Sequence, residues 1–180
     1  MTLPNMLTIA RIVLTVPFMA LAMQDNTPCK ILALVIFIAA AITDSFDGRI
    51  ARKRNLITTF GKIMDPLADK LLTTAAFLVF TMTGRMNVYA LMLIIAREFS
   101  VTSLRVVAAD EGKIIAAGKW GKIKTVMQFV YIIIVLVNIP GYLFHVEQIL
   151  MWIVTAVTIY SGIDYFMKNR ELIKLDIDKK

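Results

Sequence analysis

The chain has 180 residues, 58% of them hydrophobic, and its mean hydropathy of +0.73 excludes an ordinary soluble globular domain. Twenty Lys and Arg against thirteen Asp and Glu give a net charge of +7. Nucleic acid is excluded as the expected partner because the basic residues line one end of the apolar segments, where anionic headgroups or phosphorylated substrates are the better fit.

The apolar residues fall into six runs, each long enough to be read as one helix crossing a bilayer. The expected fold is therefore an all-α integral membrane protein: one domain over residues 1–180, six transmembrane helices and a polar active-site cavity open to the cytoplasmic side. The first run, Met6 to Met23, ends near an Ala-Leu-Ala that looks like a signal-peptide cleavage site. No Lys or Arg precedes it and Arg11 interrupts it, so it is read as a permanent helix. In the second, Ile31 to Ala51, only Ile31 to Thr43 precede Asp44, which at ~1.5 Å per residue is roughly 20 Å and short of the ~30 Å hydrocarbon core. The third, Phe60 to Thr83, is apolar only from Leu71 onward, after Asp65, Asp69 and Lys70. The fourth, Val88 to Ala108, reaches Arg97 after Ala96. The fifth, Ile123 to Ile139, is apolar from Thr125, and the sixth runs from Ile149 to Met167.

With the N-terminus inside, the outer connections (Gln24 to Lys30, Gly84 to Asn87, Pro140 to Gln148) carry only Lys30 and Arg85 of the basic residues. Cytoplasmic loops are the ones enriched in Lys and Arg, so both termini are expected in the cytoplasm and the protein in the cell (inner or plasma) membrane. His145 then reads as a solvated residue of the last outer connection. Cys29, alone, has no partner for a disulfide within the chain. Lys53, Arg54, Lys168 and Lys174 read as headgroup-facing surface, and the eleven methionines as packing.

The informative segment is Thr43 to Lys70. It holds the pattern D-x2-D-G-x2-A-R-x8-G-x3-D-x3-D: Asp44, Asp47, Gly48, Ala51, Arg52, Gly61, Asp65 and Asp69. Asp44 and Asp47 are i, i+3 and Asp65 and Asp69 are i, i+4, so each pair projects from one helix face. An ionised side chain within the membrane costs a few kcal/mol on insertion scales, roughly 2.5–3.5 at the helix centre, and normally faces a partner, an ion or water. Four neighbouring carboxylates need cations between them. Hard oxygen donors suit Mg²⁺ or Mn²⁺ better than zinc, and two such ions are a recurring device for displacement at phosphorus. Gly48, Ala51 and Gly61 are small enough to let a neighbouring helix or a phosphate approach.

The complete pattern resembles the signature of the CDP-alcohol phosphatidyltransferase family. Further blocks, LPNMLTIARIVL at the start, AREFSVTSLR at 96–105, GKIKT at 121–125 and SGIDYF at 161–166, are similar to bacterial members of that family that use sn-glycerol 3-phosphate, so the likeness covers most of the chain. The resemblance implies transfer of a phosphatidyl group from CDP-diacylglycerol to sn-glycerol 3-phosphate with release of CMP. Carried over by position, Asp44, Asp47, Asp65 and Asp69 would hold the metal, with Asp69 also taking the proton of the attacking hydroxyl. Asp44, Gly48, Ala51, Arg52 and Gly61 would bind CDP-diacylglycerol. It also implies membrane phospholipid surroundings and a homodimer.

The acceptor carries a phosphate, and the cations available for it beyond the donor site are Arg97, Arg105, Lys119, Lys122 and Lys124, with Asn5, Thr8 and Arg11 as further contributors from the first helix. The simpler readings are a local Arg97–Glu98 pair, and Asp164 as partner of Arg97 or Arg105. Two other functions compete: a family member with a different acceptor, serine or inositol phosphate, and a cation transporter. The transporter would need acidic groups spread through the bilayer depth, whereas these lie on one side.

Overall fold

A chain surrounded by little water satisfies its backbone N–H and C=O groups most simply as α-helix, and each apolar run does so in the computed structural model. It describes residues 3–53, 59–110, 115, 118–137 and 143–170, with the side chains at 3–5, 44–53, 59–66, 69 and 110 outside the described set. The helices are α1 (Leu3–Ala22), α2 (Thr27–Lys53), α3 (Thr59–Met82), α4 (Val88–Asp110), α5 (Lys119–Val137) and α6 (Phe144–Lys168), and no strand occurs among the described residues.

Several boundaries differ from the sequence expectation for identifiable reasons. Helix α2 begins at Thr27 rather than Ile31, because Asn26 Oδ1 accepts the Cys29 N–H at 2.9 Å and caps the first turn, where Pro28 is tolerated. Lys30 therefore belongs to the helix and not to a connection; it is buried, and its Nζ donates to Asp25 Oδ1 at 3.2 Å. Helix α6 begins at Phe144 rather than Ile149. His145 is exposed but lies in that first turn instead of a loop, and Glu147, assigned to the connection by sequence, is fully buried. Asn87 Oδ1 caps α4 by accepting the Tyr89 N–H at 2.8 Å. Helix α3 ends on Gly84, whose φ of 71° places it in the left-handed region. There the Gly84 N–H donates to Thr81 O at 3.2 Å and the Arg85 N–H to Phe80 O at 2.7 Å, the paired bonds of a Schellman ending.

The contacts divide the chain into two units, Met1–Arg85 with Ile132–Phe144, and Met86–Tyr131 with His145–Lys180. In the first, α1 packs along both α2 and α3. Its buried stripe is Thr8, Arg11, Thr15, Phe18 and Ala22, spaced by three and four as a helix face requires. Phe18 meets Phe37 of α2 with ring centres 6.0 Å apart, and the buried alanines Ala33, Ala40, Ala68, Ala75 and Ala76 allow the helices to come close. Arg85 Nη1 donates to Val135 O at 2.7 Å, satisfying a carbonyl near the end of α5.

In the second unit the buried stripe of α4 is Ala90, Ile94, Val101, Leu104 and Ala108. Val101 and Leu104 form a cluster with Tyr165 of α6, against which Ile115 and Phe166 pack. Trp120 of α5 meets Tyr160 of α6 edge to face at 4.8 Å.

Helices α5 and α6 are long and apolar enough to cross a membrane, while Met6–Ala22, Thr27–Thr43 and Lys70–Met82 are shorter apolar stretches. The exposed faces are themselves apolar: Val13, Val16, Val35, Ile42, Met92, Val106, Val126 and Ile149 all lie on the surface, where a water-facing helix would carry charge.

Gly84→Ala should lower stability by about 1–2 kcal/mol, the cost of a Cβ in the left-handed region. No neighbour lies within 4 Å of the added methyl, so a thermal unfolding midpoint in detergent micelles should fall without loss of the folded baseline.

Candidate active site

The four aspartates sit on two helices of the first unit: Asp44 and Asp47 in the second half of α2, Asp65 and Asp69 in the first half of α3. Gly48, Ala51 and Arg52 follow on α2 and Gly61 precedes on α3. All eight side chains lie outside the described residues, as do those of Asn5, Lys53, Arg54 and Lys174. Among the described residues no group of three metal-ligating side chains occurs.

The backbone register still levels α1 against the motif. Only residues 23–26 link α1 to α2, so the two run antiparallel from the Phe18–Phe37 contact. Arg11 and Asp44 each lie seven residues beyond that ring pair, about 10 Å along their helices. Thr8 is likewise level with Asp47. Arg11 is 4% exposed and Thr8 1%, so α1 turns a buried guanidinium inward at the level of the first carboxylate position. Thr15 Oγ1 donates to Arg11 O at 3.0 Å, keeping its own hydroxyl satisfied within the helix.

The second unit gathers a cationic group of its own. Arg97 takes the place on the buried stripe of α4 between Ile94 and Val101, and Lys124 begins the buried stripe of α5 that continues through Gln128 and Tyr131. Glu98 joins them: its Oε1 accepts from Arg97 Nη1 at 3.4 Å and from Lys124 Nζ in a shorter contact. The side chains are 10%, 18% and 8% exposed for Arg97, Glu98 and Lys124, so this is an ion cluster withdrawn from solvent. Beside it, Gln128 Nε2 donates to Thr158 Oγ1 at 3.5 Å, and Thr158 and Ser161 return their hydroxyls to α6 carbonyls.

Arg105 is one residue off the α4 stripe and more exposed. Its Nε donates to Tyr165 Oη at 3.0 Å and its guanidinium carbon stands 5.3 Å from the Tyr165 ring centre, within cation–π range. Lys119 and Lys122 are in the first turn of α5 and exposed.

The structure thus brings Arg97 and Lys124 together and leaves Lys119 and Lys122 on the surface. The local Arg97–Glu98 pair is present but incomplete as a description, because Glu98 also reaches Lys124. Asp164 pairs with neither arginine: Lys168, one turn on, binds it at 2.8 Å, a spacing that favours the helical neighbour over a partner on another helix. Glu98, Gly162 and Tyr165 were not singled out from the sequence as site residues. The available signal was the need of a buried Tyr hydroxyl and of a buried carboxylate for partners.

Among the described residues Arg97 and Lys124 share the carboxylate of Glu98, with Arg105 further along α4, basic groups of the kind that suit a phosphate monoester. Arginine forks offer it paired N–H donors and the lysine a point charge. The cluster depends on its carboxylate: Glu98→Ala strips the counter-charge from two withdrawn cations and should cost about 3 kcal/mol, whereas Lys168→Ala at the exposed Asp164 pair should cost at most about 0.5 kcal/mol. Unfolding in detergent monitored by circular dichroism distinguishes the two.

The family model for CDP-alcohol phosphatidyltransferase matches residues 1–160. A Bacillus subtilis (strain 168) protein named CDP-diacylglycerol–glycerol-3-phosphate 3-phosphatidyltransferase is 40% identical, over 96% of this chain and 97% of its own. A Rickettsia felis protein of the same name is 39% identical, over 91% of this chain and 93% of its own. A Mycobacterium tuberculosis (strain H37Rv) protein named probable phosphatidylglycerophosphate synthase is 35% identical, over 91% and 79%.

Proposed function

The chain belongs to the CDP-alcohol phosphatidyltransferase family, and from that premise we propose that it transfers the phosphatidyl group of CDP-diacylglycerol to sn-glycerol 3-phosphate. The products are phosphatidylglycerophosphate and CMP, an early step towards phosphatidylglycerol and related lipids. The observation that carries the choice of acceptor is the Arg97–Glu98–Lys124 cluster with Arg105 beside it. An acceptor that carries a phosphate offers the Arg97, Arg105 and Lys124 side chains an anion to bind.

In this reading the six helices span the cell membrane as a single domain over residues 1–180, with both termini and the active-site cavity on the cytoplasmic side, and the protein works as a homodimer. The charged positions lie below the inner headgroups because the donor's reactive phosphorus is held there by its two acyl chains. The donor set fits a hard divalent ion: four carboxylates, two on each of two helices, and no His or Cys in the motif. Asp44, Asp47, Asp65 and Asp69 would hold Mg²⁺ or Mn²⁺, as two ions. Bound there, such ions supply neutralisation of the charge that builds on the pyrophosphate.

The chain's own residues do the rest. Gly48, Ala51 and Gly61 leave room for the donor's diphosphate against the helix backbone, and Arg52 takes up charge on the departing CMP phosphate. Asp69 accepts the proton of the acceptor hydroxyl as its oxygen bonds to phosphorus and the bond to the CMP oxygen breaks. Arg97, Arg105 and Lys124 hold the acceptor's phosphate, with Lys119 and Lys122 attracting it at the surface. Asn5, Thr8 and Arg11 contribute to acceptor binding from α1.

Purified protein given CDP-diacylglycerol, radiolabelled sn-glycerol 3-phosphate and Mg²⁺ should form a labelled lipid. Label appearing only when serine or inositol phosphate replaces the glycerol phosphate would contradict the acceptor. Asp69→Asn should lower turnover by at least about 10²-fold, the usual contribution of a general base, while the unfolding profile stays that of the parent. Chelation by EDTA should abolish turnover, and added Mg²⁺ or Mn²⁺ should restore it; full activity in EDTA would remove the metal from the account.

A further inference from the structure

We propose that one face of α6, carrying Gly162 and Tyr165, is the positioning element that presets the two arginines of α4 for the acceptor's phosphate. The inference rests on the acceptor assignment above and concerns residues to which that assignment gives no role.

Glycine inside a helix is unfavourable relative to alanine unless something needs the space. At Gly162 something does. A Cβ built there would stand 2.9 Å from Arg97 Cγ, 3.7 Å from its Nε and 3.9 Å from its Cδ. The stem of Arg97 therefore lies against bare α6 backbone, at a separation no side-chain carbon at this position could share. By contrast a Cβ at Gly121 would meet Arg97 Nη2 at 3.9 Å, an ordinary contact. Arg97 Nε is buried without a hydrogen-bond partner, so packing on Gly162, with the Nη1 contact to Glu98, directs this side chain.

Tyr165 lies three residues further along α6, on the same face. Its ring is 5% exposed and held by Val101 and Leu104, and it fixes Arg105 through the Nε–Oη bond and the ring face. Both guanidinium groups are thus oriented by α6 before any acceptor arrives. Long, rotamer-rich side chains fixed in advance lose less freedom on binding, which appears as affinity for the group they bind.

Gly162→Ala should raise KM for sn-glycerol 3-phosphate about tenfold, leaving KM for CDP-diacylglycerol unchanged and kcat within about threefold, the pattern of lost binding rather than lost chemistry. Tyr165→Phe, which removes one oxygen and keeps the ring, should raise the same KM about threefold. In an Arg97→Ala background the acceptor KM is already high, and adding Gly162→Ala should change it no further; this non-additivity separates positioning of Arg97 from general damage to α6. Equal effects of Gly162→Ala with and without Arg97, or an unchanged acceptor KM in both Gly162→Ala and Tyr165→Phe, would overturn the proposal. Should Gly162→Ala fail to fold, Tyr165→Phe carries the test with the same readout. A wild-type protein that makes no lipid from sn-glycerol 3-phosphate would overturn the acceptor assignment and this inference with it, an outcome distinct from an active wild type with an unmoved KM.

Discussion

The rest of this structure depends on charge that cannot be left alone inside apolar helices. In both units the buried stripe of a helix changes character along its length: α1 passes from Phe18 to Arg11 and Thr8, α4 from Ile94 to Arg97, and α5 from Tyr131 to Gln128 and Lys124. A guanidinium or ammonium on such a stripe is stable only with an anion at hand. Glu98 supplies it within the second unit. The arrangement is costly as a way to hold helices together, since apolar side chains of similar volume would pack as well or better. Basic side chains kept at that cost are the ground for the anionic ligand proposed above.

Such a cluster also explains where small residues fall. Alanines line the contacts of α1 with α2 and α3 because close helix approach, and not side-chain bulk, gives packing where solvent is apolar. Gly162 has a different reason, the stem of a single arginine crossing its backbone.

Much of the fold was legible in the sequence because its signals are local. The apolar runs gave six helices. Helix starts were less legible. Asn26 as a cap and the buried Glu147 extend α2 and α6 into segments whose polarity suggested connections. The motif aspartates were legible as helix positions, and α1 carries Arg11 and Thr8 to their level. What local reading could not supply was pairing across distance: Glu98 with Lys124, Arg105 with Tyr165, and the close approach of Gly162 to Arg97 each join residues far apart in the chain. Asp164 shows the converse, a residue assigned a distant partner that settles on Lys168 one turn away.

The central claim is that the acceptor is bound through its phosphate by the cluster around Glu98. It is tested most directly by offering the protein glycerol and sn-glycerol 3-phosphate at equal concentration with CDP-diacylglycerol, and measuring CMP release. Release with the phosphorylated acceptor and none above background with glycerol is the result the account predicts. Comparable release from both would contradict it.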